Sequence, residues 1–249
     1  MNFAFSEEQE ELRKIVKQFL ETKSPEAEVR RLMETEEGYD PAVWDQMATQ
    51  MGLQSLIIPE EYGGSGYSYV ELIVVLEEMG RRLLCAPYFS TVVLAANTLL
   101  HSGDDEAKAA LLPGIASGET KATLAFTEEN GRWDEEGITL AASQAGDGWT
   151  LSGTKMFVLD GHTADLILVA ARTDAGVSLF HLPGDAAGLT RTALSTMDQT
   201  RKQAKLEFAD VPATLLGTDG AGWPVLERVL DLTAVALAAE QVGGAQECL

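Results

Sequence analysis

The sequence predicts an α+β multidomain chain: a helical N-terminal part, a middle antiparallel β part and a long closing helix. Three observations predict it. Apolar residues recur at helical spacing as far as Gly118. From Lys121 the segments become short and alternating, punctuated by Gly, Asp and Asn, as in an antiparallel sheet or barrel. From Trp223 the helical spacing returns and persists to Leu249.

Each element carries its own signals. Ser6 with Gln9 is a capping box, and Leu12, Ile15, Val16 and Phe19 share the face that follows. Asp40-Pro41 starts a helix expected to run to Gly52, which suits a left-handed cap. Leu53 to Ile58 is a short apolar run stopped by Pro59. Gly63-Gly64-Ser65-Gly66 is a flexible loop without the lysine of a phosphate loop, expected as a tight turn over the rim of a pocket. Ser68 with Glu71 repeats the capping box before the stripe Leu72, Leu76, Met79, Leu83. Helices are expected over 91–101 and 105–112. The strand-like segments are KATLAFT, GITLAASQ, GWTLSG, TKMFVL, DLILVAA, GVSLFHL, LTRTAL and QAKLEF. The last helix bears Val225, Leu226, Val229 and Leu230, and nothing in the sequence after it buries that face.

At 45% hydrophobic and 23% charged residues, the 249-residue chain reads as soluble and globular, with a buried core. No run of about 18 apolar residues is present, so no membrane span is expected. The acidic start MNFAFSEEQEELRK is not a secretory signal. Cys85 and Cys248 read as reduced thiols of a cytoplasmic protein. A net charge of -21 repels nucleic acid and anionic membrane. A phosphate-rich ligand would need local donors. His101, His162 and His181 lack metal-like spacing and read as surface or loop residues; no metal site is expected.

Six stretches in order resemble the acyl-CoA dehydrogenase family. They are FSEEQEELRK, LQSLIIPEEYGGSGYSYVELIVVLEEMGR, LLPGIASGETKATLAFTEE, LSGTKMFVLDGHTADLILVAAR, QAKLEFADVPATLLGTDGAGW and AAEQVGGAQECL. The second is the most specific. The resemblance implies an N-terminal helical domain (1–120), a middle β domain (121–216) and, over 217–249, the first helix of a truncated C-terminal four-helix bundle. It implies FAD as cofactor and an acyl-CoA as substrate. A glutamate removes the α-proton, the β-hydrogen leaves as hydride to the flavin, and an electron-transfer flavoprotein reoxidises it.

Residue by residue, the resemblance places Leu124, Phe126, Thr127 and Trp133 in the first flavin segment, and Phe157 and Leu159 in the second. Thr127 is the best single flavin contact. Without the resemblance it is a strand-end residue, and Phe157 and Leu159 are core strand residues. Thr127, Glu128 and Asp134 match the family's pattern, whereas Glu129, Arg132 and Trp133 replace its proline, glycine and serine. That serine helps bind a phosphorylated ligand or the acyl-CoA, so Trp133 also stands at the substrate. Leu159 lacks the hydroxyl offered to the flavin. Asp231 matches a residue near the substrate, but Ala234 replaces the arginine that should follow. The catalytic base is expected beyond Leu249. The alternative position within the chain is Thr233, which carries no acid.

Three functions stay open: a dehydrogenase, a non-catalytic subunit of a hetero-oligomeric dehydrogenase like those of lipid- and steroid-degrading members, or a flavin-free acyl-CoA-binding relic. The first two imply a homo- or hetero-oligomer.

Overall fold

The computed structural model describes residues 4–146 and 148–249. Met1 to Phe3, part of the start read as no secretory signal, and Asp147 lie outside the described residues. The helical half comprises α1 (Glu7–Lys23), α2 (Glu26–Met33), α3 (Pro41–Thr49) and α4 (Tyr69–Arg81). A π-helix (Phe89–Ala96) runs directly into α5 (Asn97–His101), and α6 (Asp105–Ala116) follows. Both capping boxes form, and Asp40 accepts from Ala42 N at 2.8 Å. The α3 helix ends at Thr49, three residues before Gly52, although Gly52 takes the expected positive φ of 63°. α2 gave no sequence signal, because only Val29 and Leu32 on it are buried among charged neighbours.

The strands are β1 (Ala122–Ala125), β2 (Ala141–Ala145), β3 (Gly148–Leu159), β4 (Leu166–Thr173), β5 (Gly176–Pro183), β6 (Leu189–Ala193) and β7 (Gln203–Leu216). Pairings β4–β2, β2–β3, β3–β7, β7–β5 and β5–β4 close on themselves. The sheet is mixed, which corrects the expected all-antiparallel arrangement: β1 runs parallel to β4, and β2 meets β4 in parallel at one position. The reason lies where β1 leaves the helical half. Asp165 N and Leu166 N both donate to Lys121 O, and Asp165 Oδ2 accepts from Lys121 N and Nζ, so the two strands start side by side. GWTLSG and TKMFVL join as one strand, because Gly153 (φ 139°) and the irregularity between Lys155 and Val158 act as bulges rather than breaks.

Every residue of β1 is buried, and β4 has apolar contacts on both faces. Leu166, Leu168 and Ala170 pack with the helices, while Ile167, Val169 and Ala171 fill the sheet interior. Thr91 of the π-helix locks β1 in place, donating to Ala122 O and accepting from Ala122 N. The glycine loop is a tight turn, with Gly66 N donating to Ile58 O, but it folds onto Ile58 and not over the cavity described below.

A single long helix, α7 (Gly222–Glu247), follows the sheet. Its apolar face does find cover within the chain: Leu226, Val229, Ala236, Ala239 and Gly243 are buried, and α7 packs along α4. Val235, Leu237 and Val242 stay exposed. Glycines set the α4–α7 approach. A Cβ on Gly243 would lie 1.8 Å from Glu77 O, and one on Gly80 would lie 2.0 Å from Glu240 O. Gly243→Ala is therefore expected to lower unfolding stability by about 1–3 kcal/mol through forced separation of the helices. The denaturant midpoint at unchanged m value measures it. Gly244→Ala, whose added carbon meets nothing nearer than Gly80 O at 3.7 Å, is expected to leave that midpoint nearly in place.

Candidate functional site: an apolar cavity between sheet and helices

A cavity of about 530 Å³ opens where β1 and β3 end against the π-helix and α7. Leu124, Phe126 and Thr127 reach it from β1 and the turn after it, and Trp133 from the following loop. Met156, Phe157, Val158 and Leu159 come from the end of β3, Phe89 and Leu94 from the π-helix, and Thr233 and Leu237 from α7. Arg201 and Gln203 come from the junction of the β6–β7 loop with β7.

The six residues assigned to the cofactor from sequence all line this cavity, together with Thr233. Asp231 does not; it is exposed on α7. Phe89, Leu94, Met156, Gln203, Arg201 and Leu237 were not anticipated. The run FSTVVLAA is apolar apart from Ser90 and Thr91, so its periodicity names no facing residue, and a lone arginine in a polar loop carries no signal.

The backbone explains how the wall is shaped. Phe157 has φ 55°, a left-handed conformation uncommon for a bulky residue. It sits at the β3 bulge and leaves the ring 51% exposed rather than packed in the sheet. Trp133 is 63% exposed and stands edge-on to Phe126 at 5.1 Å. Thr127 is buried and its carbonyl accepts from Met156 N at 2.8 Å, joining the two cavity-lining segments. Among the described residues its hydroxyl has no hydrogen-bond partner, nor has the Gln203 amide. Thr233 is committed differently, donating to Val229 O at 2.7 Å.

Behind Thr127 lies a buried ion pair. Lys155, fully buried, donates from Nζ to Glu128 Oε1 at 2.7 Å and to Phe126 O at 3.2 Å. Glu128 also accepts from Thr139 N and Leu140 N at 2.9 Å each, and from the Thr139 hydroxyl. Burial pushes the Lys155 ammonium down to about 8 against the pull of Glu128. Burial raises the Glu128 carboxyl, but Lys155 and these hydrogen bonds outweigh it and hold it below its ordinary range. Arg132, in the same loop, is tied outside by Asp134 at 2.8 Å and Glu136 at 2.7 Å.

Just past Leu159, the buried Asp160 takes φ 51° and its Oδ2 accepts from the Ser90 hydroxyl of the π-helix at 2.6 Å. Burial pushes its carboxyl up to about 6, with Ser90, Arg201 and His162 opposing. The histidines lie away from the cavity lining. His101 is exposed at the end of α5 and His162 bonds Glu36 O. His181, expected on a surface or loop, is half-buried on β5, because its neighbours in the strand face two cores. Cys85 is buried, its thiol pushed up to about 11, and Cys248 is exposed. No helix among the described residues is long and apolar enough to cross a membrane, and no His/Cys/Asp/Glu group among them could hold a metal.

Two predictions follow from these buried charges. Lys155→Met leaves Glu128 charged without its partner and is expected to destabilise by about 3–5 kcal/mol, whereas Lys155→Met with Glu128→Gln costs clearly less; chemical denaturation of both variants measures the difference. The folded chain keeps the Asp160 proton up to about pH 6, whereas the unfolded chain releases it near 3.8. The folded state thus binds more protons across that window, and this group makes stability fall as pH rises through it. Asp160→Asn removes that slope, so the variant should gain on the natural chain between about pH 4 and about pH 7 in urea melts.

Comparison with known proteins bears on the same segments. The family model for the acyl-CoA dehydrogenase N-terminal domain matches residues 6–119, and that for the middle domain matches residues 123–211. Acyl-CoA dehydrogenase IpdE2 of Mycolicibacterium smegmatis is 34% identical over 247 residues, covering 98% of this chain and 63% of that protein. The ChsE4-ChsE5 complex from Mycobacterium tuberculosis contains a chain that matches with a TM-score of 0.88 at 28% identity, over 99% of this chain and 66% of that one. Butyryl-CoA dehydrogenase from Megasphaera elsdenii matches with a TM-score of 0.90 at 27% identity, over 99% of this chain and 68% of that one. The chain thus spans about two thirds of the length of the proteins it matches. From fold and sequence together, this chain belongs to the acyl-CoA dehydrogenase family.

Proposed function

We propose that the chain forms the flavin-binding part of an acyl-CoA dehydrogenase that introduces an α,β double bond into an acyl-CoA thioester. The observation that carries this reading is the cavity: aromatic and aliphatic walls around an unpartnered Thr127 hydroxyl. At about 530 Å³ it falls in the size range of small-molecule sites and suits a planar aromatic ring with a polar edge. The residues therefore fit FAD. Leu124, Phe126, Phe157 and Leu159 would lie against the ring, and Thr127 would bond its polar edge. When bound, FAD supplies the acceptor for the hydride leaving the acyl Cβ. Trp133, edge-on to Phe126, would border the ring on that side, and the Glu128–Lys155 pair keeps Thr127 in position.

Under this reading residues 1–120, 121–216 and 217–249 are the helical domain, the β domain and the start of a four-helix bundle. The working protein is a cytoplasmic homo- or hetero-oligomer, reoxidised by an electron-transfer flavoprotein and acting on fatty or steroid acyl groups.

A second reading has its own support. Arg201 is the only ionisable residue among the described residues lining the cavity, so no carboxylate there removes the substrate's α-proton. Thr233 carries only a hydroxyl, already spent on Val229 O, and Leu159 offers no hydrogen bond. A base supplied by another polypeptide makes this chain the non-catalytic subunit of a hetero-oligomer, in keeping with its likeness to a chain of the ChsE4-ChsE5 complex. A flavin-free acyl-CoA-binding protein is the remaining alternative.

The visible spectrum of the purified protein tests the cofactor. Flavin bands are expected, and a colourless protein that takes up no added FAD overturns the reading. Thr127→Val is expected to weaken FAD binding by about three- to tenfold, the loss of one hydrogen bond, as measured by fluorescence titration. Turnover of an acyl-CoA by this chain alone, with an artificial acceptor, would eliminate the partner-subunit reading.

A further inference from the structure

We infer that Arg201 and Glu240 form a partition that limits the depth of the acyl site and thereby selects acyl length. This inference rests on the proposed function, with the acyl group lying beside the flavin ring in the same cavity. A second cavity of about 330 Å³ adjoins the first, lined by Met79, Gly80 and Leu84 at the end of α4, by Asp198 and Thr200, and by Gln241 of α7. Arg201 and Leu237 are the two residues common to both linings, and Glu240 lines the second. The guanidinium donates from Nη2 to both Glu240 oxygens, at 2.9 and 2.7 Å. Its carbon lies 4.6 Å from the centre of the Phe89 ring, which belongs to the first cavity. A side chain from the β6–β7 loop is thus clamped between the π-helix and α7 at the boundary of the two spaces.

The clamp is local. Glu240 is the only ion-pair partner of Arg201 among the described residues, and the remaining guanidinium nitrogens make no hydrogen bond there. With it closed, an acyl chain that reaches Arg201 meets a charged wall that it cannot solvate. With it removed, the two spaces join past Leu237 and admit several further methylenes, or a ring.

The test uses the full chain in three forms: natural, Arg201→Ala with Glu240→Gln, and Leu237→Ala. The paired change avoids stranding a buried carboxylate. Leu237→Ala widens the same passage without touching the ion pair, and decides the matter if the paired variant does not fold. Calorimetric titration with butyryl-CoA and dodecanoyl-CoA gives the affinity ratio, and a crystal structure of each variant shows whether the cavities join. The expected result is a rise of about 15- to 60-fold in the affinity ratio for dodecanoyl-CoA over butyryl-CoA, from burial of two or three more methylenes. Joined cavities with an unchanged ratio overturn the partition while leaving the acyl site intact. Joined cavities with no binding of either thioester to any form overturn the acyl-site reading, and the partition with it.

Discussion

The contact between Lys155 Nζ and Glu128 Oε1, 2.7 Å long and wholly inside the protein, underlies the geometry of the cavity. A charge taken out of water is tolerated only where its hydrogen-bonding capacity is met. Glu128 meets that condition through Lys155, two backbone amides and the Thr139 hydroxyl, and Lys155 through Glu128 and Phe126 O. Lys155 belongs to β3, two residues before Phe157, and Glu128 follows Thr127. One interaction therefore places both segments of the cavity wall. A displacement of either would strip a buried charge of its partner.

A second constraint comes from burial on both sides of the same strands. β4 serves two cores at once, and β1 is wedged between the sheet and the π-helix. Helices and sheet meet along this seam, and the cavity lies at its end. There the backbone departs from regular strand: Phe157 and Asp160 both hold positive φ, and Asp160 reaches across to Ser90. Strained backbone of this kind persists only where surrounding contacts over-determine it, and it gathers at binding sites. On the far side, α7 can approach because Gly80 and Gly243 leave room for the opposing backbone.

The electrostatics of the site run against the surface of the protein. A chain of net charge -21 encloses a cavity whose only ionisable lining residue, among those described, is a cation. That cation is already neutralised by Glu240, so the space is effectively apolar. Such a space suits a flat aromatic ring and an alkyl chain.

Much of this was legible in the sequence. Capping boxes at Ser6 and Ser68, the Asp40-Pro41 start and the change of period after Gly118 depend on contacts within a few residues, and such signals survive without a fold. The ordered motifs likewise named Thr127, Trp133, Phe157 and Leu159, which the fold gathers around one cavity. Other features are relations between distant segments, and no local pattern encodes them. The parallel β1–β4 pairing depends on Asp165 meeting Lys121, 44 residues apart. The cover over α7 depends on two glycines in different helices. The roles of Lys155 and Arg201 depend on partners 27 and 39 residues away, Glu128 and Glu240. The fold turned a strand lysine and a loop arginine into the brace behind the cavity and part of its wall.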